Sequence, residues 1–236
     1  MTTRRNRGKQ SSDDQLFAEK WHAKFKEAVD DLGFLLSRGY GENSSLQIVG
    51  NRYRLNKRQQ SAIARISCSQ QQIWNRNKSE LKANDLKGQT IEIDGFNLLI
   101  LLESALSGGY IFKGRDGLYR DISSVHGSYK RVVKTEEAIV SVGTCLKSFD
   151  VKFVKWYLDQ PVSNSGRLKS KLLELSGIHA FNWEVELVFD PDKVLAKGKN
   201  IVVSSDGWIL DHAERWFNLG AFLIEQHHDK FNVIEV

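Results

Sequence analysis

The sequence predicts an α/β protein in which a helical N-terminal region precedes a three-layer α/β/α domain with a mainly parallel sheet. Two observations support this prediction. Apolar residues recur at helical spacing in the first part of the chain. From about residue 90, short apolar strands alternate with helices of about ten residues, which is typical of a parallel sheet covered on both faces.

The charge divides the chain at the same place. Residues 1–85 carry 16 Lys/Arg against 9 Asp/Glu, and the remaining residues carry 18 against 20. A disordered basic tail is predicted over 1–14, a helical domain over 15–86 and the α/β domain over 87–236. A basic N-terminal part suits a polyanion such as nucleic acid, and a solvated charged surface is the alternative.

Size and composition are those of a soluble globular protein. The 236 residues suffice to bury a sizeable core, and 41% hydrophobic with 27% charged residues is ordinary for that class. No apolar stretch approaches the roughly 18 to 20 residues of a membrane span, and the basic N-terminus lacks the apolar segment of a secretory signal. The widely separated Cys68 and Cys145 are expected to be reduced thiols in a cytoplasmic protein.

Within the helical domain, an apolar stripe predicts a helix over 15–38. The segment "SLQIVGNRYRL" fits either an extended stretch or a packed loop. Asn56, with Gln59 three positions later, has the capping-box pattern and predicts a helix that runs to about Lys78.

The α/β domain shows a regular alternation of elements. A hairpin is predicted at "YIFKGRDGLYRDI", where Gly-Arg-Asp-Gly is the turn. The predicted strands are "TIEID", "VKFVKWYL", "WEVELVF", "NIVVSS" and "GAFLIE". The predicted helices are "NLLILLESAL", "TEEAIVSVGTCLKSF", "SGRLKSKLLELSG" and "DGWILDHAERWF".

Three of these strands deliver an aspartate to one edge of the sheet. They end in Asp94, Asp159 and Asp206, and Asp190 with Asp192 follows a fourth. Ligands of open parallel sheets bind at the carboxyl ends of the strands. Converging carboxylates repel one another unless a cation lies among them, and Mg²⁺ or Mn²⁺ takes such oxygens. Helix capping is the alternative role for each aspartate alone.

Two stretches carry a family resemblance. "IEIDGFNLL" resembles the opening strand motif of PIN-like nucleases, especially the NYN branch with Asp-Gly-x-Asn. "IVVSSDGWILD" resembles their later strand, which ends in Thr/Ser-x-Asp. Over most of residues 25–225 the chain also resembles domain-of-unknown-function family 434 with a PIN-like C-terminal half. Its signatures here are "LLSRGYGENSSLQIVGNRYRL", "IDGFNLLILLES", "GLYRDI", "LDQPVSNSGRL" and "VVSSDGWILD".

The resemblance implies a PIN-like fold and a metal-dependent nuclease, most often a ribonuclease, that uses Mg²⁺ or Mn²⁺. By motif match, Asp94 and Asp206 carry over as metal-coordinating residues, and Asp159 fits by its strand-end position. PIN proteins place further acids on a mid-domain helix and after the late strand. The candidates for these acids are Glu137, with Glu136 beside it, and Asp211.

The remaining candidates contact substrate. Asn97, in the first turn after Asp94, would donate its amide to a carboxylate or a scissile phosphate, or help to cap the helix. A helix N-terminus with hydroxyl groups suits phosphate, and a plain N-cap is the alternative. Arginines of the helical domain and the hairpin would contact the nucleic acid, or form a solvated face or self-paired charges. The substrate-binding candidates are Ser163, Ser165, Arg167, Arg120, Arg54 and Arg58.

The leading hypothesis is a nuclease that acts on RNA rather than DNA by two-metal-assisted attack of water, with the basic helical region docking the nucleic acid. The alternative is a catalytically inactive PIN-like module that binds RNA or protein. A third hypothesis is a phosphatase or nucleotide hydrolase that uses the same acids. No membrane partner is expected, whereas a homodimer or a regulatory protein partner is compatible with the sequence.

Overall fold

The protein contains nine strands and eleven α-helices in the residues that its computed structural model describes, which are 7–123, 129 and 132–235. The strands are β1 (Glu80–Leu81), β2 (Thr90–Asp94), β3 (Tyr110–Lys113), β4 (Tyr119–Asp121), β5 (Phe153–Asp159), β6 (Trp183–Val188), β7 (Ile201–Val203), β8 (Trp216–Phe217) and β9 (Asn232–Glu235). The helices are α1 (Asp13–Leu16), α2 (His22–Ser37), α3 (Glu42–Arg52), α4 (Lys57–Ile66), α5 (Gln70–Ser79), α6 (Gly95–Leu106), α7 (Thr135–Ser148), α8 (Ser165–His179), α9 (Pro191–Lys197), α10 (Gly207–His212) and α11 (Leu219–Glu225).

Six parallel strands form the larger sheet, in the order β1-β8-β7-β2-β5-β6. From the central β2, the chain first builds outward through β5 and β6, and then returns to the other side of β2 with β7 and β8. The strand order therefore reverses at β2, where Ile93 lies between Trp156 and Val203. Such a reversal opens a crevice at the carboxyl ends of the strands, which is where ligands bind in this class of sheet.

Helices cover both faces of this sheet. On one face, buried apolar residues of β2, β5 and β7 pack against α6, α7, α8 and α11 in the largest core of the protein. On the other face, Tyr157, Val202 and Trp216 pack with residues of α9 and α10. The predicted α/β class with a mainly parallel sheet is confirmed.

The N-terminal region is helical, as predicted, and has its own core. Phe25, Leu32 and Ile63 are buried together with Phe112 and Ile234. The last two residues belong to a second sheet of order β4-β3-β9, in which β3 and β4 form the predicted antiparallel hairpin and β9 pairs parallel to β3. The helical region therefore packs on this smaller sheet, and β1 joins the edge of the larger one.

In the helical region the helix boundaries differ from prediction in three places, and in the α/β domain the helix predicted at "DGWILDHAERWF" ends at His212, before β8. The helix expected over 15–38 is broken into α1, a 3₁₀ turn and α2. The ambiguous segment after Gly41 forms α3. The predicted Asn56–Gln59 capping box begins α4 as expected, but a second box begins α5, where Ser69 and Gln72 exchange hydrogen bonds. This second cap interrupts the helix expected to reach Lys78 because the chain leaves helical geometry at Ser67.

The segment 7–14, which the sequence assigns to a disordered tail, is tied to the rest of the protein through Arg7, Gly8 and Asp13. The Arg7 guanidinium pairs with the buried Glu103 carboxylate at 2.5 Å, and Arg58 binds Asp13 at 2.5 Å. These charge-assisted contacts offset part of the entropy lost when the segment is ordered. The first six residues of the predicted tail lie outside the described part of the chain.

At the C-terminus, "GAFLIE" is a helix and the prediction of a strand was wrong. Asn218 caps this helix by accepting from the Ala221 N–H at 3.2 Å, and a Cβ at Gly220 would lie 2.9 Å from Leu101 of α6. Packing on α6 therefore selects the helix. Within the described residues, no helix has both the length and the apolar character needed to cross a membrane.

Candidate functional site

Asp94 is the last residue of β2, the strand at which the order of the sheet reverses. Its side chain is 7% exposed and caps α6, since Oδ1 accepts from the Asn97 N–H at 3.4 Å. Its Oδ2 accepts from the Ser204 hydroxyl at the end of β7, at 2.9 Å. Burial raises the pKa of Asp94 to about 7, and the charges of Asp192 and Asp206 add to this rise, although the two hydrogen bonds oppose it.

Gly95 lets β2 approach its neighbour closely enough to place Asp94. A Cβ on Gly95 would lie 2.5 Å from the Leu158 side chain and 3.0 Å from the Tyr157 carbonyl oxygen of β5. A glycine is required at position 95 because there is no room for a Cβ atom beside β5. Its φ angle does not require a glycine, since it lies outside the left-handed region. A larger residue here would push the first turn of α6 away from the sheet.

A second set of hydrogen bonds ties the start of α6 to the loop after β7. Asn97 Oδ1 accepts from both the backbone N–H of Ser205 at 2.8 Å and its hydroxyl at 2.7 Å. Asn97 Nδ2 donates to no residue in the described part of the chain and borders a cavity. Asp206 caps α10, because its Oδ1 accepts from the Trp208 N–H at 2.8 Å.

The charge of Asp192 links four aspartates near the carboxyl ends of the strands, and we call them the acidic cluster: Asp94, Asp159, Asp192 and Asp206. Asp192 keeps solvent contact, yet partial burial and the charges of Asp206, Asp190 and Asp159 raise its pKa. Burial and the charge of Asp190 also raise the pKa of Asp159, whose Oδ1 is buried without a hydrogen bond. No member forms an ion pair with another described residue.

Next to the acidic cluster, the same loop is held by an arginine network, which comprises Arg76, Arg120, Asp116 and Asp211. Arg76, 3% exposed, donates from Nε to Asp211 at 2.7 Å and from Nη1 to Asp116 at 2.5 Å. Arg120 binds both oxygens of Asp116, at 2.9 and 2.7 Å. Four charges from α5, the hairpin and α10 therefore compensate one another.

This network fixes the backbone that carries Asp206. Arg120 Nε donates to the Ser205 carbonyl oxygen at 2.8 Å, and Arg76 Nη2 donates to that of Gly207 at 3.2 Å. The residues on both sides of Asp206 are thus bound by buried guanidinium groups. Because Arg76 belongs to the helical region, that region contributes directly to the geometry of the crevice.

A cavity of about 540 Å³ separates the helical region from the crevice, and we call it the junction cavity. The helical region contributes Arg65, Cys68 and Gln72 to its wall. The α/β domain contributes Asn97, Arg120, Ser205, Asp206 and Trp208. The cavity thus opens directly onto one member of the acidic cluster.

Two predicted metal ligands lie outside the acidic cluster. Asp211 is engaged by Arg76 and also accepts from Gln72 Nε2 at 2.8 Å. Glu137 lies on the exposed part of α7, where its carboxylate pairs with Lys134 at 2.6 Å. Of the predicted set, Asp94 and Asp206 interact through their charges, and Asp159 is linked to them only through Asp192. Asp211 and Glu137 have cationic partners.

The predicted phosphate-binding turn is partly used by the fold itself. Ser165 is buried and its hydroxyl donates to the Gln160 carbonyl oxygen at 3.3 Å. The Ser163 carbonyl oxygen accepts from the Tyr129 N–H at 3.0 Å. Asn164 adopts a left-handed φ of 73° and caps no N–H of α8 with its side chain. Ser163 and Arg167 are exposed beside the end of β5.

The predicted arginines of the helical region differ from one another. Arg58 is occupied, because it binds Asp13 and also donates to the Gly8 carbonyl oxygen at 3.0 Å. Arg54 is exposed, with a left-handed φ of 53°, and lies outside the junction cavity wall. Two arginines of this region line the junction cavity, Arg65 and Arg76, and Arg76 is bound to Asp116 and Asp211.

The acidic cluster fits a hard divalent cation by its donor chemistry. Its oxygens are buried or mutually repelling, and one oxygen of Asp159 has no partner. Among the described residues, no three His, Cys, Asp or Glu side chains already converge as metal ligands. Mg²⁺ usually takes only one or two carboxylates and completes its shell with waters, so the cluster supplies enough donors.

Two features of the site were missed from the sequence. The role of Arg76 had no local signal, because its partners lie 40 and 135 residues away in the chain. The Ser204 hydroxyl bond to Asp94 spans 110 residues. The sequence did contain a signal for Ser204, because it is the serine of the Ser-x-Asp pattern that follows β7 and ends in Asp206.

Comparison with known proteins finds a relative whose function is uncharacterised. An uncharacterised protein of Methanocaldococcus jannaschii is 37% identical over 185 residues, which cover 78% of this chain and 88% of the relative. No solved structure matches this chain.

Two family profiles divide the chain. Residues 24–78 match the "Protein of unknown function" family 434, so that resemblance is confirmed for the helical region. Residues 83–222 match a different profile, the "Domain of unknown function" family 5616. The sequence analysis had assigned this part of the chain to family 434 as well. The chain belongs to family 5616 through its α/β domain and carries a family 434 segment in front of it.

Proposed function

We propose that this protein is a Mg²⁺- or Mn²⁺-dependent nuclease that hydrolyses phosphodiester bonds in RNA at the switch-point crevice. The observation that carries the proposal is the contrast in charge compensation between aspartates around the Asp206 loop. Burial and neighbouring carboxylates raise the pKa values of Asp94 and Asp192, and no member of the acidic cluster forms an ion pair with a described residue. Asp116 and Asp211, next to the same loop, are neutralised by Arg76 and Arg120. A bound cation would remove this repulsion.

The proposal includes a PIN-like identity for the α/β domain. Two features support it. The motif aspartates Asp94 and Asp206 follow β2 and β7, which are adjacent parallel strands. The Ser-x-Asp stretch is joined to the Asp-Gly-x-Asn stretch by hydrogen bonds from Ser204 to Asp94 and from Ser205 to Asn97.

The residues of the chain would divide the work as follows. Asp94 and Asp206, with Asp192 at the mouth of the crevice, would hold the cation, and Asp159 would bind a second ion or an ion-bound water molecule. The cation supplies Lewis-acid activation of water and charge stabilisation of the leaving oxygen. Asn97 Nδ2, which is free toward the cavity, would donate to a phosphate oxygen. Arg76 and Arg120 would keep the Asp206 loop in place.

Cleavage of labelled RNA in Mn²⁺ tests this function. Asp94→Asn and Asp206→Asn should each reduce the rate by at least about 100-fold, because electrostatic stabilisation of this kind contributes several kcal/mol to the transition state. Glu137→Gln is the matched control, since it neutralises an acid that pairs with Lys134 outside the crevice. Activity that survives both crevice substitutions would exclude the acidic cluster as the active site.

A binding module is the second candidate. Both oxygens of Asp94 already accept hydrogen bonds within the protein, which is also what a purely structural aspartate would show. Under this candidate, RNA or a protein would bind at the junction cavity without hydrolysis. Calorimetry with Mn²⁺ separates the two, because the absence of binding at millimolar metal would favour the binding module.

A further inference from the structure

We infer that the junction cavity is a nucleotide subsite built jointly by the helical region and the α/β domain, in which Trp208 stacks on a base and Arg65 contacts a phosphate. The inference rests on the proposed nuclease function and adds to it a subsite beside the acidic cluster. It assigns a ligand-binding role to the family 434 segment, which supplies Arg65.

Arg65 is the cation of the cavity wall that remains available. Arg76 and Arg120 also line the cavity, but both are bound to Asp116, and Arg76 is bound to Asp211 as well. Arg65 is exposed and forms no hydrogen bond or ion pair with a described residue. The charge of Arg65 acts to lower the pKa of Asp121, but the two side chains form no hydrogen bond or ion pair. A phosphate entering the cavity would therefore gain a guanidinium without breaking an existing pair.

Trp208 provides the aromatic surface of the cavity. The side chain is 48% exposed although tryptophan is usually well buried in folded proteins. The His212 ring packs against it at 4.5 Å between centroids, and a hydrogen bond between His212 Nδ1 and the Trp208 carbonyl oxygen, 2.7 Å long, holds that ring. The indole is thus supported by His212 while retaining exposed surface, which is how stacking platforms for bases are built.

The volume and the position of the cavity agree with one nucleotide. Ligand pockets of about 300 to 1,000 Å³ hold molecules of this size, and the cavity measures about 540 Å³. Asn97 and Asp206 form part of the same wall, so a nucleotide stacked on Trp208 would place its phosphate next to the acidic cluster. A base can enter such a pocket only when it is unpaired, which predicts discrimination against a duplex.

Binding without hydrolysis tests the subsite independently of catalysis. Fluorescence anisotropy of a short labelled single-stranded RNA would be measured in EDTA with the full-length protein. Trp208→Ala should weaken binding by roughly fivefold to 100-fold, and Trp208→Phe should recover most of the affinity because it retains a ring. Arg65→Gln should weaken binding and reduce the slope of log K against log salt by about 0.7, the value for one phosphate contact on a single strand.

Two matched variants control for loss of charge or of an aromatic ring elsewhere. Arg38→Gln and Trp74→Ala change exposed residues of the helical region outside the cavity wall and should leave the affinity within about twofold. Unchanged binding by Trp208→Ala and Arg65→Gln, or equal affinity for a duplex of the same sequence, would overturn the subsite. Normal RNA binding that depends on Trp208 and Arg65 without cleavage in Mn²⁺ would retain the subsite and reject the nuclease.

Discussion

The acidic cluster and the arginine network meet at the loop that carries Asp206, yet the aspartates of the two groups differ in charge compensation. Asp116 is enclosed by Arg76 and Arg120, and these charges hold its pKa below the usual range although burial alone would raise it. Asp94 is buried to a similar degree but has only a hydroxyl and an amide as partners, and its pKa is raised to about 7. Because Asp94 and Asp116 are buried to a similar degree, the difference between their pKa values comes from the cations.

This difference separates structural acids from candidate functional ones. The sequence places Asp206 and Asp211 five positions apart, and both were predicted as metal ligands. The structure pairs Asp211 with a buried arginine and leaves Asp206 among other carboxylates. An acid whose charge is already compensated stabilises the fold, whereas uncompensated acids at a switch point store repulsion that a ligand can relieve.

The largest expected effect is a loss of folding stability when the arginine network is broken. Arg76→Leu should lower the free energy of unfolding by about 3–5 kcal/mol, because it leaves Asp116 buried with one guanidinium fewer and Asp211 without its partner. Urea denaturation would measure the change. The double variant Arg76→Leu/Asp211→Asn should recover part of the loss, since it removes the acid left without a partner and keeps the Arg120–Asp116 pair. No loss in the single variant would show that the network does not stabilise the fold.

A smaller loss of stability is expected when the pH is raised, because the acids of the acidic cluster have no cation. The folded pKa of Asp94 is about 7 against about 3.9 in an unfolded chain, so the folded state holds the proton more tightly. Stability measured in EDTA should therefore fall by about 2–4 kcal/mol as the pH rises from about 4 to 7. In Asp94→Asn this contribution should disappear. The Asp116 contribution runs the other way and is lost when acidification protonates that carboxyl.

A divalent cation should reverse this loss. At ten times its Kd, Mn²⁺ would stabilise the protein by about 1.4 kcal/mol, and the gain should be larger at pH 8 than at pH 5 because the cluster is then ionised. Thermal unfolding with and without Mn²⁺ would measure it. Asp94→Asn should lose the gain and Glu137→Gln should keep it. Equal stabilisation of both variants would place the cation elsewhere.

The smallest effect is expected for the predicted acid that lies outside both regions. Glu137→Gln should change the free energy of unfolding by less than about 0.5 kcal/mol, because the Glu137–Lys134 pair is exposed to solvent. Chemical denaturation would measure the difference from wild type. A larger loss would give α7 a role that its exposed ion pair does not explain.

Much of the framework could be predicted from the sequence because it depends on local patterns. The apolar "TIEID" became β2, Asp94 became the cap of α6, and Asn56 with Gln59 formed the capping box of α4. The placement of aspartates at strand ends was also local information. Parallel strands share an edge, so Asp94, Asp159 and Asp206 could be expected near one another before the sheet order was known.

Tertiary structure decided what neighbouring residues in the chain could not. "GAFLIE" fits a strand or a helix by its pattern, and packing on α6 with the Asn218 cap selected the helix. The pairing of β9 with β3 joins residues more than 100 positions apart. Most importantly, which aspartates are neutralised depends on Arg76 and Arg120, which reach the loop from other elements. Charge compensation acts through space, so the sequence determined where acids stand and the fold determined which remain free to bind a ligand.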